Sequence, residues 1–390
     1  MRMVQSTGNM ALARLGRCCR SLVREPSKGL FCGILQPSAI ESCVVAKRHL
    51  LSEDIIKLQD FQQKKLVVAR RVDRLQGNFI ESFGQKLQKN ELIVRDDLKL
   101  LLHLCQTVED LVLARDAIYR YHAENRNTHL EDFRFGPLFI RQCYELGMED
   151  LAASTLTDKK ISGFFNDATS FNIGIDMLFT KGSYEDALEV LRTMKSQGIK
   201  FNKDTLILAC GTCYKMNTAE SYRICSSLIE EGHSKGNFIP RHAYCFAVAL
   251  ALQQNDVVKA RSLYSRIMNT DSRLCQNLKF LLLVKAGELK NAISMLSMEL
   301  SYQRPTFVKK PDFSQELIQL LRLQSKDGPL MMEVEQAVTQ LEQAGQVTHQ
   351  TLDDILCHTP SGKRKLAPIK EEKRTSKRRL KPLQQTLLLE

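Results

Sequence analysis

Lys181, Lys215 and Lys285 each stand just before a predicted turn between two helices. Cations that recur at one structural position suit the phosphates of an extended anionic strand; a solvated surface role is the alternative for each. Cys210 and Cys213 form one isolated CxxC. A structural zinc site needs four ligands, and no second cysteine pair or histidine pair follows at suitable spacing. Both sulfurs are therefore expected as small core residues, and no metal or other cofactor is expected. The twelve cysteines do not read as a disulfide scaffold in a chain of this length without a secretory leader. The acidic pairs Glu149/Asp150 and Glu185/Asp186 each open a predicted helix, where negative charge complements the helix dipole. They are read as helix-end charges, and no catalytic residues are expected.

The elements that must position these side chains are clearest between Phe171 and Lys200. Phe171, Ile175, Leu178 and Phe179 share one helical face. Gly182 ends that helix, and Ser183 with Asp186 three residues later predicts a capping box for a second one. Ala187, Leu191 and Met194 stripe the second helix, which Gly198 closes. A hairpin of about 35 residues cannot bury both of its apolar faces alone, so copies are expected. The small residues Ala117, Ala152, Ala187, Ser221, Ala260 and Ala292 recur at intervals of 35, 35, 34, 39 and 32. The longest interval reflects five additional residues around Gly236 to Pro240. The chain is therefore expected to be a helical solenoid.

Composition fits that architecture. The chain has 390 residues, 43% of them hydrophobic and 26% charged, and no apolar run approaches the ~18 residues of a membrane span. The net charge of +12 is concentrated at the ends: residues 1–50 carry +6, residues 360–390 carry +7, and the body is nearly neutral. Residues 1–24 contain no acid; Arg14, Arg17, Arg20 and Arg24 line one helical side and Leu12, Leu15, Cys19 and Leu22 another. That is the pattern of a mitochondrial import leader, assigned to residues 1–49. Residues 50–97, read as two helices beginning at Ser52, are expected to cap the first repeat. Repeats fill 98–305, with the best copies at 169–203 and 272–305. A C-terminal helical region spans 306–358, in patches Phe313–Leu323, Met331–Ala344 and Thr348–Cys357. The tail 359–390, with KRK at 363–365 and KRR at 377–379, is expected to be disordered. It reads as a nuclear import signal, an RNA-binding arm or a solubility tail.

The chain lacks Trp, which tetratricopeptide units favour early in their first helix. The segment Thr169 to Asn202, with its FN start, the KGSYEDALEVL turn and helix and the MKSQGIK exit, resembles the pentatricopeptide repeat; KAGELKNAISML, around Ala292, resembles its turn and second helix. The resemblance covers roughly residues 134–305. It implies an all-α, right-handed solenoid of helical hairpins with helical caps, whose first helices face single-stranded RNA at one base per repeat. It further implies Asn172 and Asn202 as base-reading residues of pyrimidine preference, and Asn277 as the counterpart in the Ala292 repeat. An amide offers donor and acceptor together, although a local cap or turn contact is the alternative. The equivalent positions fall near Pro137, Leu206 and Cys245, which cannot discriminate bases well. Some relatives carry a metal-dependent nuclease domain, but the region after residue 305 is short and offers only scattered Asp312, Asp327, Asp353 and Asp354. The expectation is a mitochondrial matrix RNA-binding protein that directs transcript maturation by other enzymes and so supports respiratory-chain expression. The alternative is a protein-interaction scaffold attached to the mitochondrial ribosome.

Overall fold

The computed structural model describes residues 49–72, 79–125, 134–301, 312–326 and 328–359. Residues 1–48 of the expected leader and 360–390 of the expected tail lie outside these residues. Among the described residues the first helices are α1 (Glu53–Ile56), α2 (Leu58–Val72) and α3 (Phe79–Gln88). Hairpins follow: α4 (Arg95–Leu104) with α5 (Val108–Glu124), α6 (Gly136–Leu146) with α7 (Glu149–Thr157), and α8 (Ala168–Lys181) with α9 (Tyr184–Ser196). Next come α10 (Lys203–Met216) with α11 (Ala219–Ser234), α12 (Arg241–Gln253) with α13 (Val257–Tyr264), and α14 (Arg273–Lys285) with α15 (Leu289–Ser301). The first helices touch in succession, α4 to α6 to α8 to α10 to α12 to α14, and each second helix from α5 to α13 also meets the first helix of the next hairpin. The protein is an all-α helical-hairpin repeat solenoid.

Packing confirms the spacing argument. Ala117, Ala152, Ala187, Ser221, Ala260 and Ala292 are all buried, as short side chains on the inward stripe of paired helices should be. Gly182 takes φ 92°, the left-handed conformation glycine accepts without a Cβ penalty. The expected capping box at Ser183 does not form: its side chain makes no cap hydrogen bond. Its backbone N–H is already taken by the Leu178 carbonyl at 3.0 Å, which leaves the Asp186 side chain no donor to accept there. Among the described residues the segment before the first hairpin holds three helices rather than two. Lys57, in the left-handed region at φ 53°, separates α1 from α2.

The C-terminal region comprises α16 (Gln315–Ser325), α17 (Met331–Gln343) and α18 (Leu352–Leu356). Two short strands that the sequence did not announce, β1 (Phe313–Ser314) and β2 (Val347–Thr348), pair in parallel. Among the described residues buried side chains form two clusters. One runs through the hairpins and includes Leu352, Leu356 and Cys357 of the C-terminal end. The other joins Phe280, Val284 and Leu296 to Phe313, Leu317, Leu321, Val338 and Leu341. Among the described residues no helix is long and apolar enough to cross a membrane.

Candidate nucleic-acid interface

Asn172 lies in the first turns of α8, and Asn202 is the residue that caps α10. The structure brings them together. Asn172 Nδ2 donates to Asn202 Oδ1 at 3.2 Å, and Thr205 Oγ1 donates to Asn172 Oδ1 at 2.8 Å. The backbone N–H groups of Asp204 and Thr205 donate to the same Asn202 Oδ1 at 2.9 and 2.8 Å, so Asn202 serves as the helix cap that its residue type allows. Asn202 remains exposed, whereas Asn172 is 1% exposed. A base edge can meet Asn202 directly; it reaches Asn172 only if this amide pair opens.

The same junction recurs with other chemistry. In α14 the capping residue is Ser272 and Cys275 stands where Thr205 stands in α10. Cys275 Sγ lies 3.8 Å from Cys245 Sγ, so two buried sulfurs replace the amide contact. Asn277, expected as a base reader, is instead an internal link. Its Nδ2 donates to the carbonyls of Arg273 and Asp312, each at 2.9 Å, and its Oδ1 accepts from the Ser314 N–H at 2.9 Å. The side chain is fully buried. With both ends of the amide committed, it offers nothing to a ligand in this arrangement.

The three lysines end their first helices as expected, and each has a protein partner. Lys181 Nζ donates to both oxygens of Asp150, at 2.5 and 2.6 Å. That hydrogen bonding holds its ammonium above the usual lysine range. Lys215 Nζ reaches Asp353 of α18 at 2.7 and 2.6 Å. Burial works to lower this ammonium, but the bond to Asp353 and nearby negative charge outweigh it, and the group sits above its ordinary value. Lys285 Nζ donates to Asn255 Oδ1 at 3.3 Å. Phosphate would have to displace or share these partners. Cys210 and Cys213 are buried core residues, and Glu149/Asp150 and Glu185/Asp186 occupy the first turns of α7 and α9.

Sequence reasoning missed how far the first helices are covered by the chain itself. Every residue from Ser170 to Phe179 in α8 and from Ala243 to Leu252 in α12 is buried, the signature of helices packed on all sides. Asp176 accounts for part of this. It is wholly buried, and its Oδ1 accepts the N–H groups of Leu50 and Leu51 at 2.7 and 3.1 Å. Its Oδ2 lies 2.9 Å from His49 Nδ1, and Thr180 Oγ1 is 3.0 Å from the same ring nitrogen. Leu50 then presses on α10, where its Cδ1 would lie 2.7 Å from a Cβ added to Gly211. Further along, α2 covers α6 through Lys65, which bonds Gln142 at 3.0 Å and Glu145 at 2.5 Å. At the other end α18 covers α12, where His242 Nε2 is 2.7 Å from the Leu356 carbonyl. An isolated Asp in a helical pattern carries no sign of such a partner, because the contact spans 125 residues or more.

Comparison with known proteins adds a family. The family model described as mitochondrial 28S ribosomal protein S27 matches residues 28–361. Pentatricopeptide repeat-containing protein 2, mitochondrial, of Danio rerio is 49% identical over 383 residues, covering 98% of this chain and 100% of that protein. The protein of the same name from Mus musculus is 43% identical over 371 residues, covering 94% and 97%. The Homo sapiens protein is 44% identical over 346 residues, covering 88% and 89%. Among solved structures, the pentatricopeptide repeat protein PPR10 in complex with an 18-nt psaJ RNA element matches with TM-score 0.33 and 12% identity, over 71% of this chain. The chain spans only 44% of that protein's length. PPR10 from maize matches with TM-score 0.33 and 15% identity over 78% of this chain and 56% of that one. Likeness at this level carries no argument about this chain.

Proposed function

The chain belongs to the family matched by the mitochondrial 28S ribosomal protein S27 model, together with the pentatricopeptide repeat-containing protein 2 chains, and from that premise we propose that it is a mitochondrial single-stranded RNA-binding repeat protein. It holds an unpaired stretch of transcript and supports maturation carried out by other enzymes, and through it respiratory-chain expression. The observation that carries this reading is the Asn172–Asn202 contact: two amides from successive hairpins meet at the position where the repeat pattern calls for a base contact, and one of them is open to solvent. Asn202 is the first base contact and Asn172 the second, made when the pair parts. Lys181, Lys215 and Lys285 contribute phosphate contacts by exchanging their present partners. Asn277 belongs to the fold and not to this set.

Titration of the chain with single-stranded RNA at two salt concentrations tests the reading. Affinity is expected to fall as salt rises, and Lys285→Glu is expected to reduce the log–log slope by about 0.7, the contribution of one single-strand phosphate contact. Asn172→Ala is expected to weaken binding of a pyrimidine strand about tenfold, or roughly 1.4 kcal/mol. Wild-type chain that leaves RNA free at low salt would refute the proposal.

A second reading is a scaffold on the mitochondrial ribosome. It is favoured by the family model and by the cover that residues 49–51, α2 and α18 place over the first helices. Co-sedimentation with the small ribosomal subunit that survives ribonuclease treatment would support it over the RNA reading.

A further inference from the structure

The five additional residues in the repeat ladder have a structural outcome. The turn after α11 is extended, and it raises Phe238 into solvent, 78% exposed. A single exposed Phe is ordinary on a protein surface. This one stands on the rim of a cleft of about 640 Å³ between the turn after α9 and the turn after α11, within the size range of small-ligand sites. The apolar lining comes from Ile199, Leu206, Leu228 and the half-buried Phe201.

The charges around it are one-sided. Lys195, Lys200, Lys203 and Lys235 line the cleft against a single acid, Glu231. Glu231 is committed, accepting from Lys235 at 2.6 Å and Lys195 at 3.0 Å, and these ammonium groups hold its carboxyl down to about 2. Lys200 and Lys203 are exposed and make no ion pair among the described residues. The cleft thus joins a bare aromatic face to an excess of positive charge beside Asn202. A ligand that answers both has a flat π-face and an anionic group on one unit, which is the make-up of a nucleotide. An acidic peptide answers the charge and leaves the ring in water.

We propose that this cleft takes one unstacked nucleotide of a bound RNA strand, its base lying on Phe238 and its phosphate held by Lys200 and Lys203. The inference rests on the RNA reading above, and it adds a contact outside the faces of the first helices that the repeat pattern assigns to bases. Base–aromatic stacking is sequence-tolerant and worth enough that losing the ring weakens binding by roughly five-fold or more. The site therefore contributes affinity without adding base selectivity, and it remains accessible while residues 49–51 and α18 cover the first helices.

The test uses the full chain and a short oligonucleotide carrying 5-iodouridine, crosslinked by light and mapped by mass spectrometry. The expected results are an adduct on Phe238, a loss of about five-fold or more in affinity for Phe238→Ala, recovery in Phe238→Tyr, and a shallower salt dependence in Lys200→Glu with Lys203→Glu. Phe238 is exposed, so these variants fold, which circular dichroism checks. Equal RNA binding by wild type and Phe238→Ala, with adducts elsewhere, overturns the cleft and leaves the RNA reading standing. Absence of any RNA binding by wild type overturns both. An acidic peptide bound in place of RNA, and lost in the same variants, assigns the cleft to a protein partner and overturns the proposal.

Discussion

Asp176→Ala is expected to release residues 49–51 from α8 and α10 and to cost the chain about 3 kcal/mol of stability. The carboxylate is wholly buried, and it is tolerable there because two backbone N–H groups and the His49 ring surround it. Removing it leaves the Leu50 and Leu51 N–H groups without an acceptor, at about 1–3 kcal/mol each if they stay buried. The alternative is for the segment to enter water, which gives up the burial of two leucines at about 1.5–3 kcal/mol each. The two costs are comparable, so the segment opens locally and the repeats stay folded. Hydrogen exchange of the peptide covering residues 49–57 reads the effect, with faster exchange there and little change in α12. Asp176→Asn keeps an oxygen for Leu50 and Leu51, and its effect is expected to be smaller. Unaltered exchange and an unaltered melting temperature in Asp176→Ala would show that Asp176 does not hold this segment.

The same variant separates two routes for RNA. Leaving Leu50 uncovers Gly211, on a helix whose first turn begins beside Asn202. If a strand lies along the first helices, Asp176→Ala binds it more tightly, because the segment no longer competes. If the strand depends on the rim at Phe238, affinity in Asp176→Ala is unchanged and remains sensitive to Phe238.

The hairpin array could be read from sequence because its determinants are local and repeated. A short residue at each helix crossing and a glycine such as Gly182 at a turn act within one hairpin, and their spacing survives even where other repeat positions have drifted. The candidate site was only half legible, for a related reason. Asn172 and Asn202 sit 30 residues apart at fixed places in the repeat, so the pattern singled out both, but it could not say that they would bond each other or that Thr205 would bury the Asn172 side. Asn277 shares the repeat position but has a different neighbour: the Asp312 carbonyl, just before β1, and the Ser314 N–H, in β1, engage the two ends of its amide. The segment at His49 to Leu51 and the helix α18 return from outside the repeats, and nothing periodic announces where they land. Phe238 left a trace in the longer repeat interval, which located an insertion but not the ring's exposure.

Phe313→Ala is expected to open α16 and α17 while α8, α10 and α12 remain closed. Phe313 is fully buried against Phe280, ring centroids 5.6 Å apart, in the cluster that excludes most of the repeats. Deleting a buried Phe side chain costs about 3–5 kcal/mol. In a solenoid that cost is felt by nearest neighbours first, since each unit contacts mainly the adjoining one. Amide exchange in α16 and α17 is therefore expected to accelerate about a hundredfold or more. The fate of α18 is the sharper test. Although it follows α17 in sequence, its Leu352 and Leu356 belong to the repeat cluster, and Asp353 holds Lys215 at 2.6 Å. It should stay docked on α12 and α14 while the two helices before it fray. Equal acceleration across α8, α12, α16 and α18 would mean that the repeats and the C-terminal helices melt as one unit, contrary to the two-cluster packing.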